Sequence, residues 1–157
     1  MKNEIVSTRQ ATLEDLPELR KFEQGVVHAE RPFAKNLQDG DITYYNLEQL
    51  ISSDDAELLV AECGSNLVGS GYAKLMTSKP YLKHPIHSYL GFMYVDPAYR
   101  GRGINKLIIE ALIQWSKRKG VLELTLDVYD ENHASIRAYE KIGFGKNLVQ
   151  MRMELTP

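Results

Sequence analysis

The run Tyr99-Arg100-Gly101-Arg102-Gly103-Ile104-Asn105-Lys106 combines two glycines with three cationic side chains. Glycines carry no Cβ, so a ligand can approach the backbone closely. If a helix starts at Gly103, the N–H groups of its first turn have no carbonyl partner and point at whatever lies before it. The helix dipole there favours an anion, and Arg100, Arg102 and Lys106 add charge of the same sign. The chemistry this predicts is a backbone cradle for a phosphate or pyrophosphate. A dinucleotide-binding turn would carry a third glycine where Lys106 stands, and no G-x-x-x-x-G-K-[ST] loop occurs.

The elements that must hold this turn can be read from hydrophobic spacing. His87–Val95 reads as a strand ended by Asp96-Pro97. Gly103–Lys119 reads as a helix, with Ile104, Leu107, Ile108, Ala111, Leu112 and Trp115 on one face and Gly120 at its end. Val121–Tyr129 alternates apolar and polar residues and reads as the next strand. Strand, helix and strand of these lengths suit a parallel βαβ unit, whose ligands lie beyond the carboxyl end of the first strand. Upstream, Ile5–Gln10 predicts a strand, Thr12 caps a helix through Leu13, Leu16, Leu19 and Phe22, and helical spacing fails from Val26 to Tyr45. A second helix is expected near Leu47–Ile51, then strands at Ala56–Cys63 and Leu67–Leu75 about a turn at Gly64. Downstream, Asn132 caps a helix to Ile142, and Leu148–Leu155 predicts a last strand. The expected fold class is α/β or α+β: one domain over 1–157 with a mixed sheet.

Composition narrows the function classes. A formal net charge of -2 argues against a dedicated nucleic-acid binder, and no apolar stretch could span a bilayer or act as a signal-peptide core. The single cysteine, Cys63, can form no disulfide within the chain, and the four histidines show no ligand spacing, so no metal is expected. The location expected from this is cytoplasmic.

Two segments carry a specific resemblance. Val95-Asp96-Pro97-Ala98-Tyr99-Arg100-Gly101-Arg102-Gly103-Ile104 is similar to the signature of the GCN5-related N-acetyltransferase (GNAT) family, whose core is R/Q-x-x-G-x-G/A. Asn132-His133-Ala134-Ser135-Ile136-Arg137-Ala138-Tyr139-Glu140-Lys141-Ile142-Gly143-Phe144 resembles that family's second segment. Asn105 departs from the pattern, standing where the family usually has Gly or Ala. The specific match covers about the last 65 residues, and the first half agrees only in element order. The resemblance implies a mixed, mostly antiparallel sheet in which two neighbouring parallel strands splay apart. It implies acetyl-CoA as co-substrate, no metal, an amine acceptor, and transfer by direct attack. Backbone groups of Met93, Tyr94 and Val95 would bond the pantetheine arm. Residues Arg100, Gly101, Arg102, Gly103, Ile104, Asn105 and Lys106 would hold the pyrophosphate, and Asn132 with Ser135 would meet the pantetheine. Members of the family are often dimers; no feature of this sequence marks an interface, so a homodimer is an expectation from resemblance alone.

The family pattern assigns Tyr139 the role of general acid, because a departing thiolate needs a proton and a phenol can supply it. The base is harder to find. Tyr89–Val95 holds no acidic residue, where many family members place a carboxylate. Glu30 is taken as the base, with Asp127 and His28 as alternatives. A strand N–H near Met93 would suit an oxyanion. The aromatic and acidic residues Phe33, Asp39, Asp41, Tyr44 and Tyr45 would suit a small cationic acceptor. A protein lysine or N-terminal acetyltransferase, and a non-catalytic acyl-CoA-binding module, stay open beside the small-molecule enzyme.

Overall fold

A computed structural model describes residues 4–157. By internal packing the chain divides into a first unit ending at Asp127 and a second unit, Val128–Pro157. The first unit holds a five-stranded sheet whose spatial order equals its chain order: β1 (Val6–Gln10), β2 (Ala56–Cys63), β3 (Asn66–Thr77), β4 (Ile86–Val95) and β5 (Leu124–Leu126). The first three pairings are antiparallel and β4–β5 is parallel. This is the mixed sheet that the element order predicts.

The first helix, α1 (Leu16–Glu30), enters through a single 3₁₀ turn at Leu13–Asp15. Asp15 closes the turn by accepting the Thr12 N–H at 2.8 Å and a two-pronged bond from Arg9. Pro17 sits in the first helical turn, where its missing N–H costs nothing. The helix runs to Glu30, so the irregular stretch expected from Val26 begins only after Arg31. Val26 and Val27 are buried with Leu19 and Phe22, a tertiary stripe that holds the helix together beyond the point where the local pattern fades. Glu30 is therefore a helix-end residue, not a loop residue. The short α2 (Leu47–Ser52) is capped by the Asn46 side chain, which accepts from Gln49 N–H. Leu19, Phe22, Val26, Leu47 and Leu50 pack with Leu58, Val60, Tyr72 and Phe92 into one core layer.

The other helix, α3 (Ile104–Arg118), buries Ile104, Ile108, Ile109, Leu112 and Trp115, which gives the apolar face read from its spacing. The buried hydroxyls of Ser88 on β4 and Ser116 on α3 pair at 2.7 Å, fixing the far end of the helix to the strand. Gly120 then turns the chain with φ +76°.

Two expected strands are shortened or missing. The alternation from Val121 to Tyr129 yields only Leu124–Leu126, because β4 offers a parallel partner only at Ser88–Leu90. Leu148–Leu155 forms no strand among the described residues. Its side chains are exposed, Met151 by 89%. Alternation alone cannot make a strand: a ladder needs a partner for its N–H and C=O groups. Within the second unit, α4 (His133–Ile142) forms as its cap and its closing glycine predict. Asn132 accepts from Ser135 N–H at 3.3 Å, and Gly143 has φ +125°.

Candidate functional site

The middle of β4 departs from regular pairing. Tyr72 faces Gly91 and Ser70 faces Tyr94, so Gly71 stands opposite two residues, Phe92 and Met93. This is a β-bulge, which bends a strand and re-aims its groups. Phe92 takes φ +54°, a left-handed conformation that is unfavourable for a bulky residue, costing about 1–3 kcal/mol. Its surroundings hold it there. The ring is 2% exposed and stacks on Tyr45 at 4.7 Å, while the Ser70 hydroxyl donates to the Phe92 carbonyl at 3.0 Å. Beyond the bulge β4 has no pairing with β5: the ladder ends at Leu90 and Leu126. One side of Gly91–Val95 thus carries no strand partner among the described residues. Met93, Tyr94 and Val95 lie on this stretch, with their side chains turned to other tasks. The Tyr94 ring stacks on Phe22 at 4.6 Å, and Met93 packs where Gly71 has no Cβ.

The strand leads straight into the glycine turn. Asp96 accepts from Ala98 N–H at 2.9 Å and opens a 3₁₀ turn at Pro97–Tyr99. Gly101 and Gly103 then take φ +77° and +73°, and a Cβ built on either would meet nothing within 4 Å. Glycine is required here for its backbone conformation, and the space beside it is free. The first helical bond of α3 runs from Leu107 N–H to Gly103 C=O, so the N–H groups of Ile104, Asn105 and Lys106 lie ahead of the intrahelical ladder. The Arg102 guanidinium lies 4.9 Å from the Tyr99 ring centre, and Lys106 pairs with Glu110 at 3.8 Å. Arg100 and Arg102 are exposed. This arrangement fits a pyrophosphate: backbone donors, a dipole end and two solvated cations around a pair of residues with no side chains. Asn105 is half-buried, and its backbone lies within the same turn as its neighbours.

On the α1–α2 side of the sheet a chain of aromatic rings runs towards the bulge. Tyr44 meets Tyr45 edge-on at 5.7 Å, Tyr45 meets Tyr72 edge-on at 5.8 Å, and Tyr72 lies 6.4 Å from Tyr89. Gly91 makes this possible, because a Cβ there would sit 2.5 Å from the Tyr72 hydroxyl. The segment carrying Tyr44 and Tyr45 is irregular, yet it is pinned. Glu23 of α1, 3% exposed, accepts the N–H of Tyr44 at 2.9 Å and of Tyr45 at 2.8 Å through one carboxylate oxygen. Burial pushes the Glu30 carboxyl up, and hydrogen bonding from Tyr44 partly offsets that. Burial also raises Tyr45, Tyr72 and Tyr89, helped by the Glu30 charge at Tyr45 and the Asp127 charge at Tyr72 and Tyr89. The Tyr89 hydroxyl donates to Asp127 at 3.1 Å. Asp127 thus faces this aromatic group. His28 is exposed on α1. Among the described residues no cluster of three or more His, Cys, Asp or Glu could hold a metal ion, and no helix is long and apolar enough to cross a membrane.

Asn132, Ser135 and Tyr139 belong to the second unit and are described within it. The Asn132 carboxamide oxygen is engaged in capping α4, which leaves its NH₂ group for other partners. Tyr139 is half-buried and meets Phe144 edge-on at 6.0 Å. Sequence reading missed Glu23, Tyr72, Tyr89 and Phe92. Glu23 and Glu30 are seven residues apart, two helical turns on one face, and that spacing was a usable signal. The positive φ of Phe92 left none, since no residue type demands it.

The family model described as Acetyltransferase (GNAT) family matches residues 17–144. A mycothiol acetyltransferase of Thermobispora bispora is 30% identical over 145 residues, covering 83% of this chain and 48% of that protein. An aminoglycoside N(6')-acetyltransferase of Stenotrophomonas maltophilia is 26% identical over 124 residues, covering 76% of this chain and 80% of that one. The chain spans less than half the length of the first curated relatives it matches. Among solved structures, a predicted acetyltransferase of Clostridium acetobutylicum with acetyl-CoA superposes with a TM-score of 0.76. It has 18% identity and covers 96% of each chain, a likeness of fold.

Proposed function

Because the chain belongs to the GNAT acetyltransferase family, we propose that it transfers an acetyl group from acetyl-CoA to the primary amine of a small molecule. The observation that carries this reading is the open flank of β4 running directly into the Gly101–Lys106 turn. One end of that track suits an extended amide-bearing arm, since Met93, Tyr94 and Val95 have a flank free of β5. The other end suits a pyrophosphate, held by Arg100, Gly101, Arg102, Gly103, Ile104, Asn105 and Lys106. Coenzyme A joins these two chemistries in one molecule. Asn132 and Ser135 are proposed to add contacts to the pantetheine arm.

In the proposed reaction the neutral amine attacks the thioester carbonyl in a ternary complex, the C–S bond breaks, and the departing thiolate takes a proton. Tyr139 is proposed as that acid. Glu30, with its raised pKa, is a proposed base for the incoming ammonium. A proposed cytoplasmic location suits the single reduced cysteine and the supply of coenzyme. A homodimer remains part of the proposal by family resemblance only. A second reading, acetylation of a protein N-terminus, draws support from a 34% identity over 85 residues to the N-alpha-acetyltransferase RimI of Mycobacterium tuberculosis.

The test is acetyl-dependent release of CoA thiol with a panel of amines, for the wild type and Tyr139→Phe. The variant should lower kcat by about 10²-fold or more while acetyl-CoA binding, measured by calorimetry, stays unchanged. Equal kcat would remove Tyr139 from the mechanism. Acetyl-CoA binding with no turnover on any amine would replace the enzyme by an acyl-CoA-binding module.

A further inference from the structure

Tyr45, Tyr72 and Tyr89 form one continuous group of rings beside the β4 bulge, the buried Tyr72 linking the two outer rings, and they come from three separate parts of the chain. Tyr45 comes from the α1–α2 connection, Tyr72 from β3 and Tyr89 from β4. Two carboxylates act on this group. Glu30 ends α1 and its charge acts on Tyr45 and Tyr89, and Asp127 follows β5 and accepts from the Tyr89 hydroxyl. All three rings pack in or against the core, but the outer two are not sealed inside it. Tyr45 and Tyr89 are only half-buried, and neither carboxylate takes part in a salt bridge among the described residues. Ring faces and carboxylates share one preference: a cation carried on an apolar body.

We propose that this surface is the acceptor site, and that it takes a primary ammonium attached to a flat apolar body, an arylalkylamine in chemical class. The inference rests on the acetyltransferase reading above and names the substrate within it. The rings cover the apolar body and the two carboxylates hold the ammonium. A sugar phosphate is disfavoured, because the carboxylates repel its phosphate. The cation nearest in register, Lys74 opposite Tyr89, is exposed to solvent. A polyhydroxylated amine is disfavoured because ring faces cannot satisfy its hydroxyl groups. Asp127 gives the surplus proton a second route beside the proposed base Glu30. One ammonium proton passes to the Tyr89 oxygen as the Tyr89 proton passes to the Asp127 carboxylate. Tyr89 stays neutral, Asp127 becomes the carboxylic acid, and the amine is left neutral. Asp127 is exposed and returns the proton to water.

The experiment compares 2-phenylethylamine, glucosamine 6-phosphate, an aminoglycoside and a peptide with a free α-amine as acceptors at saturating acetyl-CoA. Calorimetric binding of 2-phenylethylammonium in the presence of CoA is measured alongside. The expected result is the highest kcat/KM for 2-phenylethylamine. Tyr45→Leu and Asp127→Asn should each raise its KM about tenfold or more with acetyl-CoA affinity unchanged. Faster acetylation of another class, or variants with wild-type KM, overturns the proposal. Binding of 2-phenylethylammonium that Tyr45→Leu weakens, with no amine acetylated, sustains the site and sinks the transferase reading. Neither binding nor acetylation overturns both.

Discussion

Glu23 ties the aromatic wall to the sheet-packed helix, and its removal should be felt twice. Its carboxylate accepts two backbone bonds, from Tyr44 at 2.9 Å and Tyr45 at 2.8 Å, on one oxygen in a site 3% exposed. A hydrogen bond to a charged acceptor contributes about 1.5–3 kcal/mol, against about 0.5–1.5 for a neutral one. Glu23→Ala removes both bonds and strands two peptide N–H groups, though it also relieves a buried charge and admits water. The expected net loss is about 3 kcal/mol. Glu23→Gln keeps an oxygen of similar shape and loses only the charge, so about 1 kcal/mol is expected. Urea unfolding of the three proteins measures this as a shift of midpoint at constant slope. The second effect is positional. Tyr45 stacks on Phe92 and borders the proposed acceptor surface, so acceptor KM should rise in Glu23→Ala while acetyl-CoA affinity holds. An alanine variant within about 0.5 kcal/mol of the wild type would refute the reasoning. So would a glutamine variant as damaged as the alanine one.

Two further outcomes follow from features on opposite sides of the sheet. Arg100 and Arg102 are exposed, so the double alanine variant should weaken acetyl-CoA binding roughly tenfold to a hundredfold with little change in melting temperature. Calorimetry and a thermal scan separate the two, and equal affinity would remove the cradle. Asp15 is held below the usual carboxylate range chiefly by its hydrogen bonds from Arg9. A depressed folded pKa contributes stability that is present above the unfolded value, about 3.9, and is lost as pH falls through the folded value. Melting temperature against pH should therefore fall below about pH 4, and Asp15→Asn should flatten that limb. An equally steep limb in the variant would show that other carboxylates control it.

The parts of this protein that obey short-range rules were legible in its sequence. The strand Ala56–Cys63 and the helix after Gly103 follow from period and caps, and the glycine turn follows from residues whose φ only glycine adopts freely. What escaped was set at long range. The helix α1 outlasts its own pattern because Val26 and Val27 find a core on the sheet. The strand after Val121 is short because β4 pairs with it only at Ser88–Leu90. The exposed Leu148–Leu155 alternates well, yet forms no ladder among the described residues. The proposed acceptor wall was half visible: Tyr44 and Tyr45 stood out by composition, but Tyr72 and Tyr89 looked like ordinary strand residues until register brought them together. Glu23 had a signal in its seven-residue spacing from Glu30, but a carboxylate on a helix ordinarily reads as a solvated one.

The chain has one tryptophan, and its place in α3 has an optical consequence. Trp115 is buried near the C-terminal end of the helix, with the Lys119 ammonium 5.6 Å from its ring centre. Twelve residues separate it from Gly103, about 18 Å along the axis at 1.5 Å per residue. Its emission therefore reports the integrity of the helix that presents the glycine turn, and not the arrival of a ligand at that turn. Of the nine tyrosines, Tyr45, Tyr72 and Tyr89 cluster beside the β4 bulge, away from this tryptophan's helix end. Unfolding can therefore be followed by one native emission signal without labels.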